Sequence, residues 1–523
     1  MTGTLVLLRA FLRRDRWMYL WWPVGIAILY VSQGWSVDGL YATQAEFDKA
    51  AAGMENNAAL IAMAGPARAL NTTGGQVTWQ SAAFGAILVG LMSMFIVGRH
   101  TRAEEETGRD ELLRAAPVGR HAAMTAAVLD AGLANLVVGA VTGAGLVAYG
   151  LAPADSIGLA AGLTLCGWSF TGTALVAAQL TTSTRAAYGL AGAVIGLSYA
   201  LRALGDISAA ALSWMSPIGW YQAMHAFSGL RWWPGLLLLA GAGITVAVGY
   251  AVFDRRDFGS GVLPARPGPA RASRSLGTGL GLAWRLQRAA LAAWAVGLLL
   301  GGLAFGTMGD DVGDLVGDSQ TSRDLVLQGS GDIVDGFYAM LIVMLAMLAA
   351  GFAISSALRP RGEEDAGRVE VLLATALPRS TWLAGHVAVT VAGTLTVLVL
   401  AGAGLGTSYA LVTGDGSAVA RMTVELLMTA PAVLVLAGFA RLLHGLLPRA
   451  ALLAWLALLL SYVVLIFGEL LDLPQWFQDL SPFEHLALVP VEPFRWTPFL
   501  VLAAVAAALS VAGQIAFRRR DVH

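Results

Sequence analysis

The sequence predicts an all-α integral membrane protein of twelve transmembrane helices, laid out as two parallel six-helix repeats. Three observations predict it. Apolar runs of about 20 residues, the length that spans a bilayer as a helix, recur along the chain. Charged residues collect in the connections between the runs. Several of those connections occur twice at a near-constant offset, the mark of an internal duplication. Composition agrees: of 523 residues 57% are hydrophobic and 13% charged, and the mean hydropathy is +0.67.

The chain begins with an amphipathic stretch, Thr4 to Arg16. Thr4, Leu7, Leu8 and Phe11 fall on one helical face and Arg9, Arg13 and Arg16 opposite, as in a helix lying in the membrane interface. A basic flank of the first span is the plainer alternative. The arginines follow the first apolar residues and no small-x-small site closes a short apolar region, so no cleaved signal peptide is expected. Six apolar runs follow, near Trp17–Gln33, Ser81–Gly98, His121–Tyr149, Ile157–Leu180, Ala186–Leu204 and Trp232–Phe253. Six more lie near Leu286–Gly306, Gly336–Leu358, Trp382–Leu411, Met422–Ala440, Ala450–Leu471 and Trp496–Phe517. An even number per half gives both halves one orientation, hence parallel repeats. The expected organisation is a first half over 1–257, a flexible basic linker over 258–282 rich in Gly, Pro, Ser and Arg, and a second half over 283–523. With both termini inside, most of the 33 basic residues fall on the inner side, while the outer connections are acidic, notably between Asp310 and Asp335. That is the positive-inside pattern.

The duplication is sharpest in an acidic segment after the second and eighth runs. Glu104-Glu105-Glu106-Thr107-Gly108-Arg109-Asp110-Glu111 is answered by Glu363-Glu364-Asp365-Ala366-Gly367-Arg368-Val369-Glu370, with the two glycines 259 positions apart. Arg231-Trp232-Trp233-Pro234 recurs as Arg495-Trp496-Thr497-Pro498. Phe253-Asp254-Arg255-Arg256-Asp257 recurs as Phe517-Arg518-Arg519-Arg520-Asp521, both at an offset of 264. Gly139 and Gly143 are echoed by Gly402 and Gly406, and small residues four apart let helix backbones approach closely. In the acidic segments, Glu105 with Arg109 and Glu364 with Arg368 have i, i+4 spacing in the favourable orientation. A short amphipathic helix with exposed carboxylates suits docking to a partner; a solvated loop helix is the alternative.

Other features carry less. Phe337, Met340, Met344 and Met347 share one helical face, and Phe84, Leu88, Met92 and Phe95 share another. Thioethers and aromatics adapt to apolar ligands, though ordinary helix packing gives the same stripe. Trp214, Trp220, Trp232 and Trp233 read as interfacial anchors. Asp130 lies inside a span, where an acid is a functional candidate by default; Val389 stands at the matching place in the second half. Cys166 is the single cysteine, the histidines lack zinc-ligand spacing and the outer aspartates lack that of a calcium loop, so no metal is expected. A phosphate-binding loop needs a lysine after its glycines, and the one lysine, Lys49, sits in an outer connection. ATP hydrolysis by this chain is therefore not expected. No paired His, Cys or carboxylate site suggests an embedded enzyme.

Taken together, the Glu-Glu-x-x-Gly-Arg segments, Ser216-Pro217-Ile218-Gly219-Trp220, the Arg-Trp-x-Pro repeats and the Phe-x-Arg-Arg-Asp ends resemble the permease subunits of actinobacterial ATP-binding-cassette (ABC) exporters. Along nearly its whole length the chain is similar to the fused twelve-span permeases of tetronasin-type antibiotic and multidrug efflux. The resemblance implies a type V-like exporter fold in the bacterial plasma membrane, with both termini cytoplasmic and Thr4 to Arg16 as an elbow helix. It implies polar re-entrant helices over Gly205 to Arg231. Glu104 to Ala116 and Glu363 to Thr375 would be the coupling helices, with Glu104, Glu105, Glu106, Gly108, Arg109 and Glu111, and Glu363, Glu364, Asp365, Gly367, Arg368 and Glu370, coupling to the ATPase. The second half departs at Ser481-Pro482-Phe483-Glu484-His485, where Gly-Trp is missing.

The implied function is export of a hydrophobic small molecule, driven by two copies of a separate ATPase that binds ATP and Mg. Met92, Phe95, Met340, Met344 and Met347 are candidates for the pathway. Membrane lipid is the other partner, and no nucleic acid is expected. The alternative is a proton-coupled carrier of the major facilitator type, which also repeats a charged Gly-Arg motif after its second and eighth spans. A long outer connection from Gly34 to Gln80 and the scarcity of buried acids favour the exporter.

Overall fold

A computed structural model describes residues 2–38, 43–54, 58–109, 115–207, 210–257, 259–263, 270–308, 333–468 and 473–520. Glu111 and the aspartates between 310 and 332, expected from the sequence on the outer side, lie outside them. The described chain is helical, and eleven of its helices are long and apolar enough to cross a membrane. The first predicted run forms a helix, Met18–Asp38, with the length to cross but outside those eleven, because tryptophans, tyrosines and Pro23 dilute its apolar content. The chain divides into two compact units, Met1–Gly268 and Pro269–His523.

In the first unit, α1 is Thr4–Arg14, α2 Met18–Asp38, α3 Gln44–Met54, α4 Ala58–Ala64, α5 Thr73–His100 and α6 Arg102–Glu106. They are followed by α7 Ala122–Tyr149, α8 Pro153–Leu180, α9 Thr184–Ile207, α10 Ala210–Ser213, α11 Pro217–Gln222 and α12 Trp233–Arg255. The predicted face of α1 is real but its partner differs. Thr4, Leu7 and Phe11 are buried, with Leu7 and Phe11 against Ala122, Ala126 and Ala127 of α7, while Leu5 and Val6 are left exposed. Packing on a neighbouring helix has claimed the stripe that the sequence assigned to lipid.

Small residues set the spacing of the helices. A Cβ on Gly139 would lie 2.8 Å from the Ala160 carbonyl oxygen of α8, and one on Gly143 would lie 2.9 Å from the Ala160 Cβ. Hydrogen bonds then fix the crossing where lipid supplies no hydrophobic drive: Asn135 Nδ2 donates to Ser93 Oγ at 2.9 Å, and Ser93 Oγ donates to the Gly167 carbonyl at 3.1 Å. Three helices, α5, α7 and α8, are thereby tied at one level.

Two short helices lie in the described parts of the long connection after α2. α3 and α4 fold back, and the buried Arg202 guanidinium of α9 donates to the carbonyls of Ile61 and Met63 at 3.2 and 3.0 Å. The cation sits at the negative end of the α4 dipole, where the Ile61 carbonyl also accepts from the Gly65 amide and the Met63 carbonyl from the Tyr199 hydroxyl. Gln44 and Asn71 donate to Asp48 and hold its carboxyl below the usual carboxylate range. Over the predicted re-entrant segment lie the two short helices α10 and α11, the second capped by Ser216, whose Oγ accepts from the amides of Ile218 and Gly219. Trp214 stacks on Trp233 at 5.1 Å.

In the second unit, α13 is Gly279–Gly306, α14 Ile333–Ala357, α15 Arg359–Asp365, α16 Arg368–Leu373 and α17 Arg379–Thr413. Then come α18 Ala418–Met428, α19 Ala430–Leu446, α20 Leu453–Phe467, α21 Gln475–Gln478 and α22 Trp496–Arg519. Cβ atoms on Gly402 and Gly406 would come within 2.7 Å of Thr423 Cα and 2.6 Å of Val419 Cα, so α18 lies directly on this glycine edge of α17. Gln287, Ser356, His386 and Thr390 form a buried hydrogen-bonded cluster linking α13, α14 and α17. Where the second half departs from the Gly-Trp motif, residues 481–486 form turns, without the capped helix that follows Ser216.

Candidate functional site

Both acidic segments begin on short helices that stop at a glycine. α6 ends at Glu106 and α15 at Asp365, and Gly108 (φ 72°) and Gly367 (φ 67°) take the left-handed backbone that favours glycine. A Cβ at either position would meet nothing within 4 Å, so the requirement is conformational and not steric. In each half it breaks the helix between the acids and the following arginine. The expected i, i+4 pairs, Glu105 with Arg109 and Glu364 with Arg368, accordingly give way to i, i+5 pairs. Glu104 faces Arg109 at 3.8 Å and Glu363 accepts from Arg368 Nε at 2.6 Å. Pairing with Glu363 holds the Arg368 guanidinium above its ordinary value.

The acids are not a row of exposed carboxylates. Glu104 is 7% and Glu363 3% exposed, and their neighbours Glu105 and Glu364 also turn inward. Glu105 binds Arg102 at 2.8 Å and also Arg256, the last arginine of the Phe-x-Arg-Arg-Asp end. Arg256 further donates to Gln179 Oε1 at 2.9 Å and to the Ser260 carbonyl at 2.8 Å. Arg102 donates to the carbonyls of Ala178 and Ser260. Glu104 binds Arg14 of α1, and Glu106 accepts from the Thr184 amide at 2.8 Å. The segment thus knots together α1, the end of α8, the start of α9 and the end of α12. Burial without partners would cost several kcal/mol per carboxylate, and the arginines remove that cost.

The second unit repeats the knot at matching positions. Glu364 accepts from Arg520 Nη2 on both oxygens, at 2.5 and 2.6 Å, and faces His444 Nε2 at 3.6 Å. Arg520 stands 264 positions after Arg256, as Glu364 stands 259 after Glu105. Each arginine lies over the phenylalanine three residues before it, Arg256 at 5.2 Å from the Phe253 ring and Arg520 at 5.3 Å from that of Phe517. Glu363 differs from Glu104 in its second partner, taking Arg359 at 2.6 Å in place of an arginine on an N-terminal helix. What stays outward is a mixed ridge: Glu106 and Arg109 in one unit, and Asp365, Gly367, Arg368, Glu370 and Val371 in the other, Val371 being 72% exposed. Val369 anchors that ridge, buried on Trp382, Leu383 and Phe517.

Arg14, Arg102, Arg256, Arg359 and Arg520 complete the sites without having been singled out as site residues. Recurrence of Phe-x-Arg-Arg-Asp at one offset was the signal that pointed to two of them. The candidate pathway residues divide. Met92 (1% exposed) and Met347 (5%) belong to the packed interior, while Met340 and Met344 are half-buried. Phe95, 38% exposed, makes an edge contact with Tyr188 at 5.4 Å. A mostly apolar cavity of about 760 Å³ in the second unit is lined instead by α19, α20 and α22, with Phe439, Leu460, Val501 and Leu509, and also by Asp479 and His485.

A substitution that spares the pairs but alters the break isolates the role of the turn. Gly108→Asn and Gly367→Asn, which tolerate the left-handed backbone, are expected to keep full stability and activity. Gly108→Val and Gly367→Val should each cost about 1–2 kcal/mol and displace the ridge. Thermal unfolding alongside transport distinguishes the two pairs of variants.

Residues 276–518 match the family model for the C-terminal domain of the multidrug efflux system permease Rv1217c. That stretch contains the second acidic segment and Arg495 to Arg518. Over 530 aligned residues the chain is 38% identical to the multidrug efflux system permease protein Rv1217c of Mycobacterium tuberculosis (strain ATCC 25618 / H37Rv), covering 100% of this chain and 95% of that protein.

Proposed function

The chain belongs to the family of the multidrug efflux permease Rv1217c, and from that premise we propose that it is the membrane-spanning subunit of an ABC exporter, driven by two copies of a separate ATPase. One observation carries the proposal. The two acid–arginine knots match residue for residue in their central pair and present two outward ridges, as two identical motor subunits require. In this account α2 joins the eleven candidate spans as a twelfth, the halves are parallel repeats, and both termini face the cytoplasm with most of the arginines.

The knots give the coupling its mechanics. Each ridge stands on a helix end bonded to the last span of its own unit through Glu105–Arg256 or Glu364–Arg520. A push on the ridge is therefore transmitted through charge-assisted hydrogen bonds, which resist displacement better than a loop would. Closing of the ATPase dimer on ATP would move both ridges together and reorient the spans. The exported compound is hydrophobic and drug-like or lipid-like. ATP and Mg belong to the partner, since the lone lysine of this chain lies far in sequence from any glycine-rich loop that could hold phosphate.

Co-purification with a candidate ATPase from the same bacterium is the direct test. The permease alone is expected to hydrolyse no ATP, and the complex to show hydrolysis stimulated by substrate. Asp365→Lys with Glu370→Lys, which reverse the ridge without touching the knot, should abolish the stimulation and leave the permease folded. Efflux that survives ATP depletion and collapses with an uncoupler would replace this reading with the proton-coupled carrier.

A further inference from the structure

Asp15, His100 and Asp130 form a second buried constellation beside the first knot, and neither the efflux reading nor the similarity to Rv1217c uses it. Asp15 caps the end of α1, His100 is the last residue of α5, and Asp130 lies in the third turn of α7. They are 1%, 1% and 0% exposed, and one ligand-type atom from each lies within 4.8 Å of the other two. His100 Nε2 is 2.6 Å from Asp15 Oδ2 and 3.6 Å from Asp130 Oδ2.

We propose that Asp15, His100 and Asp130 bind a divalent transition-metal cation of the Zn²⁺ or Mn²⁺ class that clamps α1 to the ends of α5 and α7. The outer oxygens are already oriented for it. Arg99 Nη1 forms an ion pair with Asp15 Oδ1 at 2.8 Å, and the Tyr19 hydroxyl donates to Asp130 Oδ1 at 3.0 Å and to the Asp130 carbonyl at 2.6 Å. Outer partners of this kind fix ligating carboxylates in metal sites. Phe11 stacks on the imidazole at 3.9 Å and sets its plane. The inner atoms, Asp15 Oδ2, His100 Nε2 and Asp130 Oδ2, converge on one point.

With both carboxylates ionised, protons on the imidazole alone leave this point unsatisfied. An Nε2–H donates to Asp15 at 2.6 Å but leaves Asp130 Oδ2 without a hydrogen-bond partner. An imidazolium adds an N–H at Nδ1, where no acceptor stands. A neutral imidazole with its Nε2 lone pair inward faces two carboxylates, an arrangement that a bound cation reconciles. One imidazole with two carboxylates is a nitrogen–oxygen set suited to Zn²⁺ or Mn²⁺. Ligand bonds of about 2.0–2.1 Å at tetrahedral angles put ligand atoms about 3.3–3.4 Å apart. The 3.6 Å separation already fits, and the 2.6 Å one has to open by less than 1 Å. Two carboxylates offset the charge of the ion, and Arg99, whose side chain is 37% exposed, directs its own charge towards the surface.

The test uses the full-length, untagged permease in detergent, stripped with a chelator and titrated with Zn²⁺ and separately with Mn²⁺. One ion per chain is expected to survive desalting, with a raised unfolding midpoint that chelator reverses. Tyr19→Phe, which keeps every ligand, should weaken binding about tenfold, and His100→Gln or Asp130→Asn should weaken it by more than that. X-ray absorption of the Zn²⁺-loaded wild type should show one imidazole in an oxygen shell, a readout that does not depend on any variant folding. Wild-type protein that retains neither ion, or a retained ion whose shell lacks imidazole or whose affinity ignores all three substitutions, overturns the proposal. Either result leaves the efflux reading where it stands.

Discussion

Arg256→Ala is expected to destabilise the first unit by about 3–5 kcal/mol, the range for removing one partner of a buried ion pair. The Arg256 and Glu105 side chains are only 3% and 7% exposed, so water cannot replace the lost guanidinium. Gln179 Oε1 and the Ser260 carbonyl lose a donor in the same step. The equivalent change in the second unit, Arg520→Ala, should cost less, about 1.5–3 kcal/mol, the worth of hydrogen bonds to a charged group. There the side chains are 20% and 12% exposed, and the arginine carries fewer other contacts. Arg256→Lys should not rescue, because a single ammonium cannot reach Glu105, Gln179 and Ser260 from one planar fork. Unfolding midpoints of the three variants in one detergent give the order: Arg256→Ala lowest, Arg256→Lys close to it, Arg520→Ala above both. Equal midpoints for the two alanine variants would show that burial does not set the strength of these pairs.

The second large effect comes from a methyl group. Gly406→Ala should destabilise the second unit by about 1–3 kcal/mol, although alanine is the better helix former. Its Cβ would meet the Ala418 carbonyl oxygen and Val419 Cα, each at 2.6 Å, and both are backbone atoms that no rotamer change can move. Gly297→Ala on α13 is the control, since nothing lies within 4 Å of the added atom. There the helix propensity gain of about 0.5–1 kcal/mol should appear undiminished. Opposite signs for the two substitutions in a thermal unfolding assay are expected. A neutral Gly406→Ala would mean that α17 and α18 are not pressed together through this edge.

Much of the architecture was legible because lipid simplifies the code. Apolar length located the predicted spans as helices, except that the run Met422–Ala440 is divided between α18 and α19, and small residues four apart marked both α7 on α8 and α17 on α18. The face of α1 was also legible, but not what covers it. An amphipathic stripe looks the same against lipid as against the alanines of α7. The acidic segments were found by their recurrence and given the wrong local geometry. Spacing rules assume an unbroken helix, and Gly108 and Gly367 break it before the arginine is reached. The principal partners, Arg256 and Arg520, lie 151 and 156 residues away, beyond anything that helical periodicity can report. Only the repeated Phe-x-Arg-Arg-Asp end hinted at them. Asp130 was noticed as an intramembrane acid, yet His100 and Asp15 come to it from two other elements, with no spacing to announce a metal site. The pathway residues were the least legible, since a methionine stripe facing a neighbouring helix and one facing a ligand have the same sequence.

In the proposed mechanism, two outward ridges on paired acid–arginine knots seat two ATPase subunits. Cys166 is buried and is the chain's single cysteine, so engineered thiols report without background. Glu106→Cys and Glu370→Cys, each placed on its ridge, should both cross-link to the ATPase through a short bifunctional reagent, and together should capture two copies per chain. Both thiols should react with a membrane-impermeant maleimide only in inside-out vesicles. Failure of both positions to capture the ATPase, or labelling from the outside of intact cells, would contradict the account.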